Sequence, residues 1–231
     1  MRAGKKGFLL NKKEVFKRYG LFVISLWFSA LGIAFTKCGS LGVSPVSSVA
    51  NVLSLRFTAL TMGDWLILWS VLLIVGQIAV LRKRYQLIQL LQLPMAFLFG
   101  WFTDVGMLIA GRIPVNSYPM QLVMVVLGIV ILGFGVALSV IANVMFNAGE
   151  GFVKALSDVT EKNFGDVKIA FDIFSVALSV VLSLLLFGGR VVGLREGTVL
   201  ASVCTGLAVK FFTKRLKGPL DQLLSDCVRP S

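Results

Sequence analysis

The stretch KCGSLGVSPVSSVANVLS, residues 37–54, follows directly on an apolar run, and its reading decides how the chain folds. Gly39, Gly42, Pro45 and a row of serines interrupt what would otherwise be a second hydrophobic span. Ser44-Pro45 has the chemistry of a helix start: serine can satisfy free backbone N–H groups, and proline at the first helical position loses no hydrogen bond. Downstream, Ser47, Asn51, Ser54 and Thr58 share one helical face, while Val46, Val49, Ala50, Leu53 and Phe57 share another. This is an amphipathic helix of about four turns, roughly half a bilayer in length. It either dips into the membrane and returns or lies at the interface.

Working outward, six long apolar runs flank this break: Tyr19–Thr36, Trp65–Leu81, Tyr85–Ala110, Met120–Phe146, Val167–Phe187 and Thr198–Thr213. Each is near the roughly 17–25 residues that a membrane helix needs. The chain is 57% hydrophobic and 15% charged, well below the roughly one quarter charged residues of a soluble domain. Its net charge of +12 would suit nucleic acid, but the basic residues cluster at the ends of apolar runs, which is the signature of topology. Suppose that segments 37–63 and 147–165 each return to the side they left. Then eighteen of the 23 Lys and Arg residues share a side with the N-terminus, and only Lys37, Arg56, Arg112, Arg190 and Arg195 do not. The positive-inside rule therefore predicts six spans with both termini cytoplasmic. Residues 1–18 form a basic N-terminal segment before an uncleaved first span, 19–213 a single transmembrane domain, and 214–231 a short cytoplasmic tail.

Comparison of the chain with itself at an offset of 103 residues superposes Gly32 on Gly135, Thr36 on Ser139, Ser40 on Asn143 and Ser44 on Asn147. Leu53-Ser54 falls on Leu156-Ser157, and with one residue of slip Gly63-Asp64 falls on Gly165-Asp166. The register implies a duplication, with repeat one at 19–111 and repeat two at 120–213. Three spans per repeat is an odd number, so the second copy is inverted in the membrane. The mate of the opening stretch is NAGEGFVKALSDVTEKNFGD, residues 147–166. Asn147 is a candidate cap there, and Glu150, Lys154 and Asp158 sit at i, i+4 and i+8. Two opposed re-entrant helices would aim exposed N–H donors and positive dipole ends at an anionic group. Ser44, Ser47, Asn51, Asn143, Asn147, Glu150 and Lys154 are the expected substrate-binding residues.

Asp104 and Asp172 lie within apolar runs and are candidates for ion coupling. Lys168, four residues before Asp172, offers a local ion pair, and Asp104 is within reach of Lys37, Arg56 or Arg112. Asp64 and Asp166 each follow a glycine at the start of a span and read as helix caps. Gln77 reads as an interhelical hydrogen bond. The glycine-rich 188–198 reads as a turn into the last span. There is no histidine, and Cys38, Cys204 and Cys227 have neither metal-ligand nor disulfide spacing. No nucleophile stands beside a base, so neither an enzyme nor a cofactor or metal protein is expected.

The run LGIAFTKCGSLGVSP (31–45), the Gly-Asp before the second span, and residues 171–212 with their Gly-Thr helix start resemble the YitT/YczE/YyaS-type bacterial membrane proteins. The resemblance covers roughly 20–213 and is closer to the YczE branch, since no soluble C-terminal domain follows. Where an aromatic and an acid often follow the proline in that pattern, Val46 and Ser47 stand here. The resemblance implies a multi-pass protein of the bacterial cytoplasmic membrane and supplies no substrate. The expectation is an all-α membrane protein of six helices in two inverted repeats. It would act as a secondary transporter of a small polar or anionic organic solute, with the lipid bilayer as its surroundings and no nucleic acid partner. The alternative is a non-transporting accessory or regulatory protein, or a substrate-binding subunit of a larger uptake complex. A homo-oligomer or an accessory partner is left open.

Overall fold

A computed structural model describes residues 12–225, which form eight α-helices and no strand. They are α1 (Lys12–Cys38), α2 (Pro45–Arg56), α3 (Met62–Leu81), α4 (Gln92–Ala110), α5 (Tyr118–Ala142), α6 (Ala148–Thr160), α7 (Phe164–Leu186) and α8 (Glu196–Ser225). Five stretches are long and apolar enough to cross a bilayer: Glu14–Cys38, Met62–Arg84, Leu87–Ala110, Tyr118–Ala142 and Phe164–Leu186. Their outward faces carry large apolar side chains such as Leu72, Leu108, Ile173 and Leu185, each more than half exposed. Such a surface needs lipid around it. The chain is an all-helical, multi-pass membrane protein.

Several expected boundaries shift. The run Tyr85–Ala110 is not one helix, because Pro94 cannot donate to the preceding turn. Short 3₁₀ turns at Arg82–Arg84 and Leu87–Leu91 precede α4 instead. The run Met120–Phe146 ends as a helix at Ala142, where Asn143 turns into the left-handed region (φ 47°). The sixth expected span lies inside α8, which is not among the five apolar stretches, since Glu196, Lys210 and a charged second half dilute it. Helix α8 also continues through Pro219 to Ser225, so most of the expected tail is helical. Arg2, Lys5, Lys6, Cys227 and Arg229 lie outside the described residues.

Helices α1 and α5 form the centre. Within their apolar stretches 50% and 61% of residues are buried, against 22% for α7. They pack backbone to backbone through small residues. A methyl built on Gly32 would stand 2.5 Å from the Leu132 N and 2.7 Å from the Gly128 O. One built on Gly135 would stand 2.5 Å from the Ser29 N and 2.9 Å from the Ser25 O. Adding 103 to 25, 29 and 32 gives 128, 132 and 135. The close contacts of Gly32 and Gly135 thus involve residues that correspond at that offset.

The remaining packing follows the same offset. Helix α2 lies against α7 and α6 against α3, while α1 packs on α4 and α5 on α8. Ser40 and Asn143 share the left-handed conformation (φ 58° and 47°). Ser44 and Asn147 share an extended one (φ −60°, ψ 150° and φ −59°, ψ 156°). The hydroxyls of Ser48 and Ser179 meet at 2.7 Å, and their counterparts Gly151 and Gln77 also meet.

Candidate functional site

Helix α2 begins deep in the protein. Lys37 Nζ, at the end of α1, donates to Ser54 Oγ in the last turn of α2 (2.6 Å). The far end of α2 thus returns to the level at which α1 ended. Its near end meets the near end of α6, where a methyl on Gly149 would stand 3.0 Å from Val46 Cγ1. Residues 46 and 149 are themselves 103 apart, so the two helix starts meet as equivalents. Both faces of α2 are buried, the polar Ser47, Ser48 and Asn51 as fully as Val49 and Val52. A helix lying on a membrane surface would keep its polar face wet. This one does not.

Much of the polar face of α2 bonds to the protein, although Asn51 Oδ1 is buried without a partner. Ser44 and Ser47 hydroxyls bond each other (2.7 Å), and Ser47 Oγ also donates to the Ser44 O (3.0 Å). Asn51 Nδ2 donates to the Gly193 O (2.9 Å), tying the 187–195 connection onto α2. Ser183 holds the same connection, donating to the Arg190 O and accepting from the Val192 N. The glycine-rich stretch is therefore more than a turn. Gly193 (φ 81°) lies so close to Asn51 and Leu55 that a side chain there would collide with both.

Beside α6 the matching place is open. A cavity of about 520 Å³ is bounded by α3, α4, α5, α6 and the 3₁₀ turns before α4. Asn143, Glu150 and Lys154 line it, with Asp158 and Ser139. Four carboxamides that sequence reasoning did not assign to a site complete the wall: Gln77, Gln86, Gln89 and Gln92. Gln77 Nε2 donates to Gln92 Oε1 (3.0 Å) and to the Ala148 O (3.1 Å), so the expected interhelical bond exists and also forms the cavity wall. Gly151 is required here, because its missing side chain lets both amides approach α6. Gln89 Oε1 is buried with no partner. Lys154 pairs with Asp158, both about half exposed, whereas Glu150 has no ion-pair partner among the described residues. Lys168 and Asp172 lie within electrostatic reach of the Glu150 carboxyl.

The expected single site is thus divided. Asn143, Glu150 and Lys154 come together, whereas Ser47 and Asn51 are buried in protein, Ser44 is partly buried, and neither Ser44 nor Asn147 is part of the cavity wall. Ser44 and Asn147 hold the N-cap position by backbone conformation alone, without a side-chain cap. The two helix starts pack on each other through Val46 and Gly149.

The two coupling candidates have structural partners. Asp172 pairs with Lys168, as expected. Among the described residues Asp104 forms no close ion pair, although it lies within electrostatic reach of Lys37, one of the three cations expected for it. It accepts from the Gly63 N (2.8 Å) and from Thr61 Oγ1 (2.6 Å), capping α3 from the neighbouring helix. Asp64 completes a capping box with Thr61. Asp104→Ala is therefore expected to cost about 1–2 kcal/mol of stability, the range for a lost cap. Asp104→Asn, which keeps an acceptor, should cost less; equal thermal midpoints for the two variants would contradict the capping role.

A family model described as a family of unknown function (DUF6198) matches residues 16–214. The uncharacterized protein YyaS of Bacillus subtilis (strain 168) is 30% identical over 122 residues, covering 52% of this chain and 59% of YyaS. No solved structure matches. The matched segment runs from the first turns of α1 into α8 and contains both short helices and the whole cavity wall. The chain belongs to the DUF6198 family.

Proposed function

We propose that the protein is a secondary transporter of a small polar solute, not an enzyme, and that it sits in a bacterial cytoplasmic membrane with both termini inside. Its six spans form two inverted three-helix repeats, with α8 as the sixth and α2 and α6 re-entrant. The reciprocal packing of α1 with α5, and of α2 and α6 with the opposite halves, supports this reading.

The difference between the halves carries the function. The flank of α6 is open as a cavity, while the equivalent flank of α2 is filled by 187–195 through the Asn51–Gly193 bond. Two nearly equivalent halves, one open and one closed, are what alternating access requires: exchanging their conformations closes one side and opens the other. Arg82, Lys83 and Arg84 adjoin the cavity wall, which by the positive-inside rule puts the opening on the cytoplasmic side.

The test is counterflow in proteoliposomes preloaded with a panel of amino acids, amines and carboxylates. Saturable exchange above protein-free vesicles, reduced at least severalfold in Gln89→Leu, is the expected result. A purified, folded chain that exchanges no member of the panel under any ion gradient would sink the proposal.

A further inference from the structure

We propose that the cavity beside α6 recognises an ammonium-bearing group, and not the anion that opposed helix starts suggest; as a solute class this rests on the transporter reading above. Three features of the wall support it.

The first is charge. The ionisable side chains lining the cavity are Glu150, Lys154 and Asp158. Lys154 and Asp158 neutralise each other at the more exposed end of the wall. Glu150 is left as a single half-buried carboxyl with no ion-pair partner among the described residues. A carboxylate held away from water is stabilised most by a cation brought to it.

The second is hydrogen bonding. Gln89 Oε1 is a buried acceptor without a donor, and a ligand that supplies N–H groups relieves that cost. An ammonium carries three donors and no acceptor, which suits a wall that holds a carboxyl and an unpartnered amide oxygen.

The third concerns the helix dipoles. The start of α6 carries Glu150 within its first turn, which offsets the positive end of that helix. The start of α2 is covered by its contact with Gly149. The chain's own Glu150 thus supplies the negative charge that an outside carboxylate or phosphate would bring to the start of α6.

An ammonium can be free in solution or belong to a phosphatidylethanolamine headgroup, and the test separates the two. Full-length protein in nanodiscs free of phosphatidylethanolamine is titrated calorimetrically with 1,4-diaminobutane, agmatine and L-lysine, and with succinate as the anionic control. The cations are expected to bind and succinate not. Glu150→Gln should weaken cation binding about tenfold or more, the scale of a lost charge-assisted bond. Should that variant fold poorly, Asp158→Asn serves instead. It leaves Lys154 unpaired on the wall and should weaken cation binding severalfold.

Succinate binding that Lys154→Ala abolishes and Glu150→Gln spares would overturn the assignment, as would no response to any amine, lipid or anion. Stabilisation by phosphatidylethanolamine alone, lost in Glu150→Gln, keeps the ammonium assignment and makes its source a lipid. Counterflow of labelled diaminobutane separates the two proposals. Cation binding without flux removes the transporter and keeps the ammonium site; exchange of succinate without cation binding does the reverse.

Discussion

Gly32→Leu is expected to abolish the folded protein. Even a single methyl at Gly32 would stand 2.5 Å from the Leu132 N and 2.7 Å from the Gly128 O, and both are backbone atoms. Backbone cannot rotate aside as a side chain can, so α1 and α5 would have to separate. These two helices are the most deeply buried of the five apolar stretches. Overpacking a core typically costs about 1–3 kcal/mol, and four added carbons against rigid backbone exceed that range. Against a total stability of about 5–15 kcal/mol the loss is decisive. The measurement is the yield of monodisperse protein in detergent and its thermal midpoint. Gly135→Leu should fail in the same way, because it meets Ser29 and Ser25 as Gly32 meets Leu132 and Gly128. Gly20→Leu, with nothing within 4 Å, should behave as wild type. Normal yield and midpoint for Gly32→Leu would mean that α1 and α5 do not pack as described.

Gly151→Val should remove solute exchange while leaving a folded protein. The atoms that a methyl would meet are Gln77 Oε1 and Gln92 Nε2, both at 2.9 Å and both at the ends of flexible side chains. They can give way, but only by moving into the cavity and breaking the Gln77–Gln92 and Gln77–Ala148 bonds. Leaving one buried amide unsatisfied costs about 1–3 kcal/mol, which lowers the thermal midpoint without unfolding the chain. Solute space is lost at the same time, so exchange should fall at least tenfold. Gly165→Ala, where nothing lies within 4 Å, is the control for a glycine replacement close to α6. Full exchange by a folded Gly151→Val protein would show that the solute does not pass this wall.

Both predictions depend on glycines whose roles differ in how far the sequence discloses them. Gly32 and Gly135 stand out because they superpose at a fixed offset, along with Thr36 and Ser139. Small residues four apart mark a face for close helix approach, so that interface was legible. Gly151 belongs to no such ladder. Its role depends on Gln77 and Gln92 arriving from two other helices, and no local pattern encodes that meeting.

Asp104 illustrates the opposite case. An acid inside an apolar run is read as functional because burying it unpaired is costly. Here the cost is met by an N–H and a hydroxyl of a neighbouring helix start, partners 41 and 43 residues away in the chain. Glutamines 86, 89 and 92 gave a signal that went unread. Three carboxamides spaced three apart suit a 3₁₀ helix, where such residues eclipse on one face. Reading Tyr85–Ala110 as one continuous α-helix scattered them around its surface instead.

The sequence by itself determined the membrane class, five of the long apolar helices, and the two breaks at Ser44-Pro45 and Asn147, and it showed an internal match at an offset of 103. These follow from composition, from runs of length set by the bilayer, and from backbone chemistry within a few residues. Only the tertiary structure decided that α2 is buried on both faces and that its start meets the start of α6. It also decided that one flank is open while its counterpart is closed. Two halves with matching local patterns can pack into either arrangement, and the choice is made by contacts between distant residues, such as Asn51 with Gly193 and Gln77 with Ala148.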